Sequence, residues 1–163
     1  PVDVKPAIIS FSGYLRKNLE SITSVEMIPF LEEMKHTDMF VRLAMLTQSR
    51  SFEVIKDYEV TDFSIPALTV QPLMENAIKY GVGMSTEGEQ VTISTRIEKG
   101  FYVITVSDDG HGKRTELPSQ KKHKSVGTGN VRTRLKLMCN GELFIRQTEQ
   151  GTDQIIRIPV STK

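Results

Sequence analysis

Gln71-Pro72-Leu73-Met74-Glu75-Asn76-Ala77-Ile78-Lys79-Tyr80-Gly81 is the stretch whose reading settles the fold. At about 100° per residue, Pro72, Glu75, Asn76, Lys79 and Tyr80 fall on one side of a helix. Val70, Leu73, Met74, Ala77 and Ile78 fall on the other, an apolar face suited to packing on a sheet. The polar side sets an acid, a carboxamide and an ammonium within about 6 Å of one another on adjacent turns. A carboxamide oxygen can ligate Mg2+, a lysine can meet a phosphate as a point charge, and a carboxylate can orient or activate an attacking group. Alone, such a face is more often just solvated, so its meaning depends on what else the chain carries.

Two further segments stand out. Asp108-Asp109-Gly110-His111-Gly112 follows a strand ending at Val106-Ser107. Glycines on either side of one residue let the backbone turn sharply and approach a ligand closely. A carboxylate at a strand end can accept a hydrogen bond from an exocyclic amine such as adenine N6, an interaction of roughly 1.5–3 kcal/mol. A plain β-turn uses the same residues. Then Ser125-Val126-Gly127-Thr128-Gly129-Asn130 opens a helix with Val131, Leu135 and Met138 on its apolar face, closed by Asn140-Gly141. A glycine-rich helix entry presents free N–H groups and the positive end of the dipole, a natural phosphate cradle. Arg132, Arg134 and Lys136 add charge nearby, although a flexible loop before an ordinary helix has the same composition.

The remaining periodicity supplies the frame. Ile8, Phe11, Leu15, Leu19 and Ile22 mark a first helix. A second begins at Ile28-Pro29, with Glu32 and Glu33 complementing the helix dipole, and runs through Met34, Phe40, Leu43 and Ala44. Phe52, Val54 and Ile55 start a strand, and the helix of the opening stretch extends over 66–80. Val91, Ile93, Thr95 and Ile97 alternate as a half-wet strand; Lys99-Gly100 turns into the β-prone run 101–106. Leu143, Phe144 and Ile145 and then Ile155, Ile156 and Ile158 give two last strands, with Gln150-Gly151-Thr152-Asp153 as their turn. Strands in antiparallel hairpins with helices on one face make the class α+β. The polar segment 113–126, with Lys121-Lys122-His123-Lys124, reads as a long functional or disordered loop.

Composition bounds the function. The 163 residues carry 21 Lys+Arg and 20 Asp+Glu, a net charge of +1, which argues against a broad nucleic-acid surface. The single Cys139 excludes an internal disulfide and suits a reducing compartment. No apolar run approaches the roughly 20 residues of a membrane helix, so no membrane contact is expected. Opening on Pro1 rather than Met, the chain reads as a piece of a longer protein.

An Asn-bearing helix, a strand with an Asp-x-Gly-x-Gly turn, a polar lid and a glycine-rich helix start occur here in that order. The set resembles the GHKL (Bergerat-fold) ATP-binding domain of gyrase, heat-shock chaperones, histidine kinases and MutL. It is most similar to the catalytic domain of LytS-type sensor histidine kinases. The segment 65–81 resembles the family's N box, 108–112 its G1 box and Asn130-Val131-Arg132-Thr133-Arg134-Leu135 its G2 region, while Gly151-Thr152 and Ile156-Arg157-Ile158-Pro159 resemble its last hairpin. The fold so implied is a two-layer sandwich of a mixed, mostly antiparallel sheet with helices on one face. Residues 25–163 would form the catalytic domain, and 1–24 a helical segment leading from the dimerisation and phosphoacceptor region.

The resemblance implies roles residue by residue. Asn76 would ligate the Mg2+ bridging the ATP phosphates, and Glu75 would be the base or orienting carboxylate. Lys79 and Tyr80 would face phosphates or ribose. Asp108 would bind adenine N6, Gly110 and Gly112 would hinge the lid, and Gly127, Thr128, Gly129 and Asn130 would supply the far hinge and phosphate-facing amides. His36, His111 and His123 lack the context of the family's acceptor histidine, so the acceptor would lie outside this chain and a response regulator would take the phosphoryl group onward. The whole would be a cytoplasmic domain of a membrane-anchored receptor. Ser125 stands where relatives usually carry glycine, Thr128 where they carry leucine, and 40–50 lacks their charge pattern. A nucleotide-binding module with impaired transfer, or another GHKL ATPase or serine kinase, therefore stays open.

Overall fold

A computed structural model describes residues 26–47, 51–82, 90–110 and 126–161. The elements are β1 (Met27–Pro29), α1 (Phe30–Thr47), β2 (Glu53–Tyr58), β3 (Ser64–Pro66), α2 (Val70–Asn76) running into a π-wound turn (Ala77–Val82), β4 (Gln90–Glu98), β5 (Phe101–Asp108), α3 (Val126–Cys139), β6 (Glu142–Thr148) and β7 (Gly151–Pro159). The expected first helix, on residues 8–22, lies outside the described residues. Among the described residues no helix is long and apolar enough to cross a membrane.

Five strands form one sheet in the order β2-β4-β5-β7-β6. β2 runs parallel to β4, and the other neighbours are antiparallel. Lys99 and Gly100 both take positive φ, +49° and +81°, as the tight β4–β5 hairpin requires. Strand alternation then fixes what each face carries. Val91, Ile93 and Thr95 of β4, Ile104, Val106 and Asp108 of β5, and Thr152, Gln154, Ile156 and Ile158 of β7 are buried on one face. The helices cover that face with Phe30, Met34, Leu73, Met74, Ile78, Val131 and Leu135. Burial of each large apolar side chain there contributes roughly 1.5–3 kcal/mol. The opposite face is mixed: Arg96 pairs with Asp57 and Glu59, and Asp153 accepts from both Ser107 and Arg146, beside Phe101, Val103, Phe144 and Ile155. This is the expected α+β two-layer sandwich.

Three boundaries differ from expectation. Pro29 does not open α1; residues 27–29 pair instead with residues 64–66, Ile28 opposite Ile65, and the helix starts at Phe30. The helix expected from 66 starts at Val70, because Leu68 takes a left-handed conformation (φ +58°) that no helix continues through. The last hairpin turns at Glu149 and Gln150, leaving Gly151, Thr152 and Asp153 inside β7. That shift matters, since it sets Thr152 directly opposite Asp108.

Candidate functional site

The site lies where the C-terminal end of β5 meets the π-wound end of the α2 segment. Alternation along 101–108 turns Tyr102, Ile104, Val106 and Asp108 to the helix-covered face, so the run of core residues finishes in a carboxylate. Asp108 is only 5% exposed, and its Oδ1 accepts the Gly110 N–H at 3.2 Å. Gly81 packs against it so closely that a β-carbon there would lie 2.4 Å from Asp108 Cγ. Gly110 in turn sits on the Gly81 carbonyl. From the other side Gly151, at φ +149°, passes over the Asp108 carbonyl, where any β-carbon would collide. Thr152, 4% exposed, stands beside Asp108 on the neighbouring strand. Gly81 lies against the buried carboxylate, Gly110 against Gly81 and Gly151 against the Asp108 backbone, so the surroundings of Asp108 are shaped by the absence of side chains.

The helix that ends at Gly81 carries the other half. Its apolar positions Val70, Leu73, Met74, Ala77 and Ile78 are all buried, as the periodicity predicts. Glu75 and Asn76 are half-buried on the opposite side, Tyr80 is half-buried and Lys79 exposed. Gln71 Nε2 donates to Glu75 Oε1 at 3.3 Å, restricting that carboxylate. Lys79 Nζ lies 5.0 Å from the centre of the Tyr80 ring, within cation–π range. From Ala77 the winding widens to a π turn, a feature that recurs at functional sites. Gln154 of β7 donates to the Leu73 carbonyl at 2.9 Å, tying this helix to the strand that carries Thr152. Asn76 stands five residues before Gly81 on this segment, whose end packs against Asp108.

Other expected residues fall differently. Asp109 closes the sheet, accepting the Gln90 N–H at 2.8 Å and donating its own N–H to the Gln90 carbonyl. Gly112 and His111 lie outside the described residues. Gly127, Thr128 and Gly129 belong to the first turn of α3, where backbone N–H groups have no intrahelical partner, and Asn130 follows inside the helical ladder; their side chains lie outside the described residues.

Sequence reading missed the residues that hold the helix in place. Glu33, 1% exposed, does not serve the dipole of its own helix. Its Oε1 accepts the N–H groups of Val70 and Gln71 at 3.0 and 3.3 Å, and its Oε2 that of Leu68 at 3.0 Å, so it caps α2 from α1. Burial pushes the Glu33 carboxyl above the usual carboxylate range, against the downward pull of those backbone donors. Arg134 of α3 donates to the Ala67 and Leu68 carbonyls, both at 2.5 Å. Burial lowers its pKa, while the nearby Glu33 charge opposes that. No local signal marks either residue, because each serves a segment far away in the chain. Thr152 did carry one, standing next to a glycine at a strand start.

Comparison with known proteins agrees with this geometry. Residues 62–162 match the family described as histidine kinase-, DNA gyrase B-, and HSP90-like ATPase. The chain is 31% identical over 169 residues to the sensor histidine kinase YpdA of Escherichia coli, covering 98% of this chain and 29% of that protein. It is 25% identical over 159 residues to the sensor protein LytS of Oceanobacillus iheyensis, covering 89% of this chain and 27% of that one. It thus spans less than a third of the length of either relative. Among solved structures the Acinetobacter baumannii histidine kinase AdeS has the same fold, with a TM-score of 0.64 at 14% identity over 84% of this chain and 68% of that one. With its buried Asp108, its glycine walls and a family match over more than half its length, this chain belongs to the histidine kinase-, DNA gyrase B- and HSP90-like ATPase family.

Proposed function

We propose that this domain binds Mg-ATP and transfers its γ-phosphoryl group to a histidine elsewhere in a sensor histidine kinase. The observation that carries the reading is the contact of Gly81 with Asp108, which sets the end of the Asn76 helix against the buried carboxylate; we read the two as halves of one nucleotide cleft. Asp108 accepts from the adenine amine, with Thr152 beside it, and the glycine walls admit a flat ring edge. Asn76 offers its carboxamide oxygen to Mg2+, which when bound neutralises phosphate charge. Among the described residues no three His, Cys, Asp or Glu converge, so such an ion takes its other ligands from phosphate and water. Lys79 and Tyr80 flank the phosphates or ribose. The amides of Gly127, Thr128, Gly129 and Asn130 line the opposite wall, and Gly110 and Gly112 hinge the intervening segment.

Glu75, held by Gln71, orients the incoming imidazole or accepts its proton as the phosphorus–nitrogen bond forms and ADP leaves. Such chemistry rests on positioning and charge neutralisation, which amides, one carboxamide and scattered cations provide. On this proposal the acceptor histidine belongs to a dimerising domain of the same protein, the next recipient is a response regulator, and the domain lies on the cytoplasmic side of a membrane receptor; the relatives named as sensor kinases support the kinase reading.

Calorimetric titration with Mg-ATP tests the assignment. Asp108→Asn is expected to weaken binding about tenfold to a hundredfold, the loss of a charge-assisted hydrogen bond. Asn76→Ala is expected to weaken Mg-ATP but not metal-free ATP. Equal affinity of wild type and Asn76→Ala for Mg-ATP removes the metal role. Acid-labile phosphate on an acceptor domain supplied with the chain separates a working kinase from a module that only binds.

A further inference from the structure

Leu68 is the point of strain beside the site. A non-glycine residue in the left-handed conformation is disfavoured by its own β-carbon, and Leu68 adopts φ +58° two residues before α2 begins. Both of its backbone polar groups are held by charged side chains from different helices. Its N–H donates to Glu33 Oε2 of α1, and its carbonyl accepts from Arg134 of α3. The guanidinium spans the Ala67 and Leu68 carbonyls together, which only a planar fork can do. Glu33 continues onto the first two N–H groups of α2, and Thr69 Oγ1 donates to the Pro66 carbonyl to finish the turn.

We propose that Glu33 and Arg134 are positioning residues for the nucleotide: they clamp Leu68 in its left-handed turn and so set the entry angle of the helix carrying Glu75 and Asn76. The inference rests on the Mg-ATP reading above. The hydrogen bonds both residues make go to the backbone of 67–71, not to Asn76 or Asp108. Arg134 also belongs to α3, whose first turn contains Gly127 and Gly129. One side chain therefore fixes both phosphate-facing walls relative to each other. The adenine cradle hangs mainly on β5 and β7; the clamped segment gives it only Gly81, at the end far from Leu68, whereas Glu75 and Asn76 stand nearer the clamp.

That asymmetry gives a test on the full chain, with Mg-ATP and adenosine as the two probes. Lysine at 134 keeps the charge but cannot span two carbonyls. Arg134→Lys is expected to lose about tenfold in Mg-ATP affinity and to keep adenosine affinity within about twofold. Glycine adopts the left-handed turn with no steric penalty. Adding Leu68→Gly to Arg134→Lys is therefore expected to restore most of the lost affinity. Parallel loss of adenosine and Mg-ATP binding overturns the proposal, because the defect is then general. Failure of Leu68→Gly to rescue overturns it as well, because Arg134 then acts on the phosphates directly. A wild type that binds neither probe overturns the nucleotide reading and this proposal with it. Failure of the clamp alone is separable, because amide exchange at Leu68, Val70 and Gln71 reads it with no nucleotide present: unchanged protection in Glu33→Gln rejects the clamp.

Discussion

The two ends of the buried sheet face, about 20 Å apart along β5 at roughly 3.4 Å per residue, are built from the same strands in opposite ways. At the far end Phe30, Tyr58, Phe63 and Tyr102 form a ring cluster, with Phe63 stacked between Phe30 at 4.9 Å and Tyr102 at 4.7 Å. At the near end the same strands carry Asp108, Thr152 and Gln154, and bulk gives way to glycine. β5 passes from Tyr102 through Ile104 and Val106 to Asp108, and β7 from Ile158 through Ile156 to Gln154 and Thr152. Rings fill one end and the proposed binding site occupies the other, and the buried core runs on from one to the other.

Substitutions at each end should separate the two roles. The largest effect is expected from Phe30→Ala, a fully buried ring whose loss costs about 3–5 kcal/mol. Thermal unfolding should shift down by about 10 °C, while Mg-ATP affinity of the folded fraction stays unchanged. Loss of affinity there would show that the far end shapes the cleft. Gly81→Ala forces a methyl into Asp108 and should cost about 1–3 kcal/mol, with adenosine binding lost beyond what that destabilisation explains. Retained adenosine binding in this variant would remove the cradle from the nucleotide reading.

Glu33 gives a smaller, pH-dependent effect. Its folded-state pKa lies above the unfolded value, so the unfolded chain releases the proton first as pH rises. The contribution of this group to stability is therefore fully present below about pH 4.5 and is lost as pH climbs toward the raised folded value. Glu33→Gln removes this term, so the stability gap between the two proteins should narrow with rising pH in denaturant melts. A widening gap would mean that the backbone donors outweigh desolvation. The smallest effect belongs to the wet face: Arg146→Ala breaks an exposed pair with Asp153 and should change stability by no more than about 0.5 kcal/mol and binding not at all.

The sequence shows most of this frame where one element's own pattern decides it. The amphipathic split of 70–80, the alternation of β4 and β5 and the Lys99-Gly100 hairpin are all visible, because burial on one face imposes its period. Asp108, Asn76 and the glycines are legible for the same reason, being local motifs. What escapes is set by distant partners. The three-residue strands β1 and β3 have no period to read and exist because each pairs with the other. The π-wound turn after Asn76 packs its Gly81 against Asp108, and the helix before it is tied to Gln154, partners far away in the chain. Glu33 has the look of an ordinary first-turn acid, and its task lies in another helix.

The placement of β7 has a consequence for synthesis. Hydrogen-bonded to β5 along its whole length, it brings Asp153 to Ser107 across 46 positions of chain. A ribosome delivers residues 27–148 before this strand exists, so a nascent chain holds an Asn76 helix and an Asp108 strand end without the piece that seals them together. On the proposed reading, nucleotide occupancy then waits until β7 has docked beside β5 and set Thr152 against Asp108.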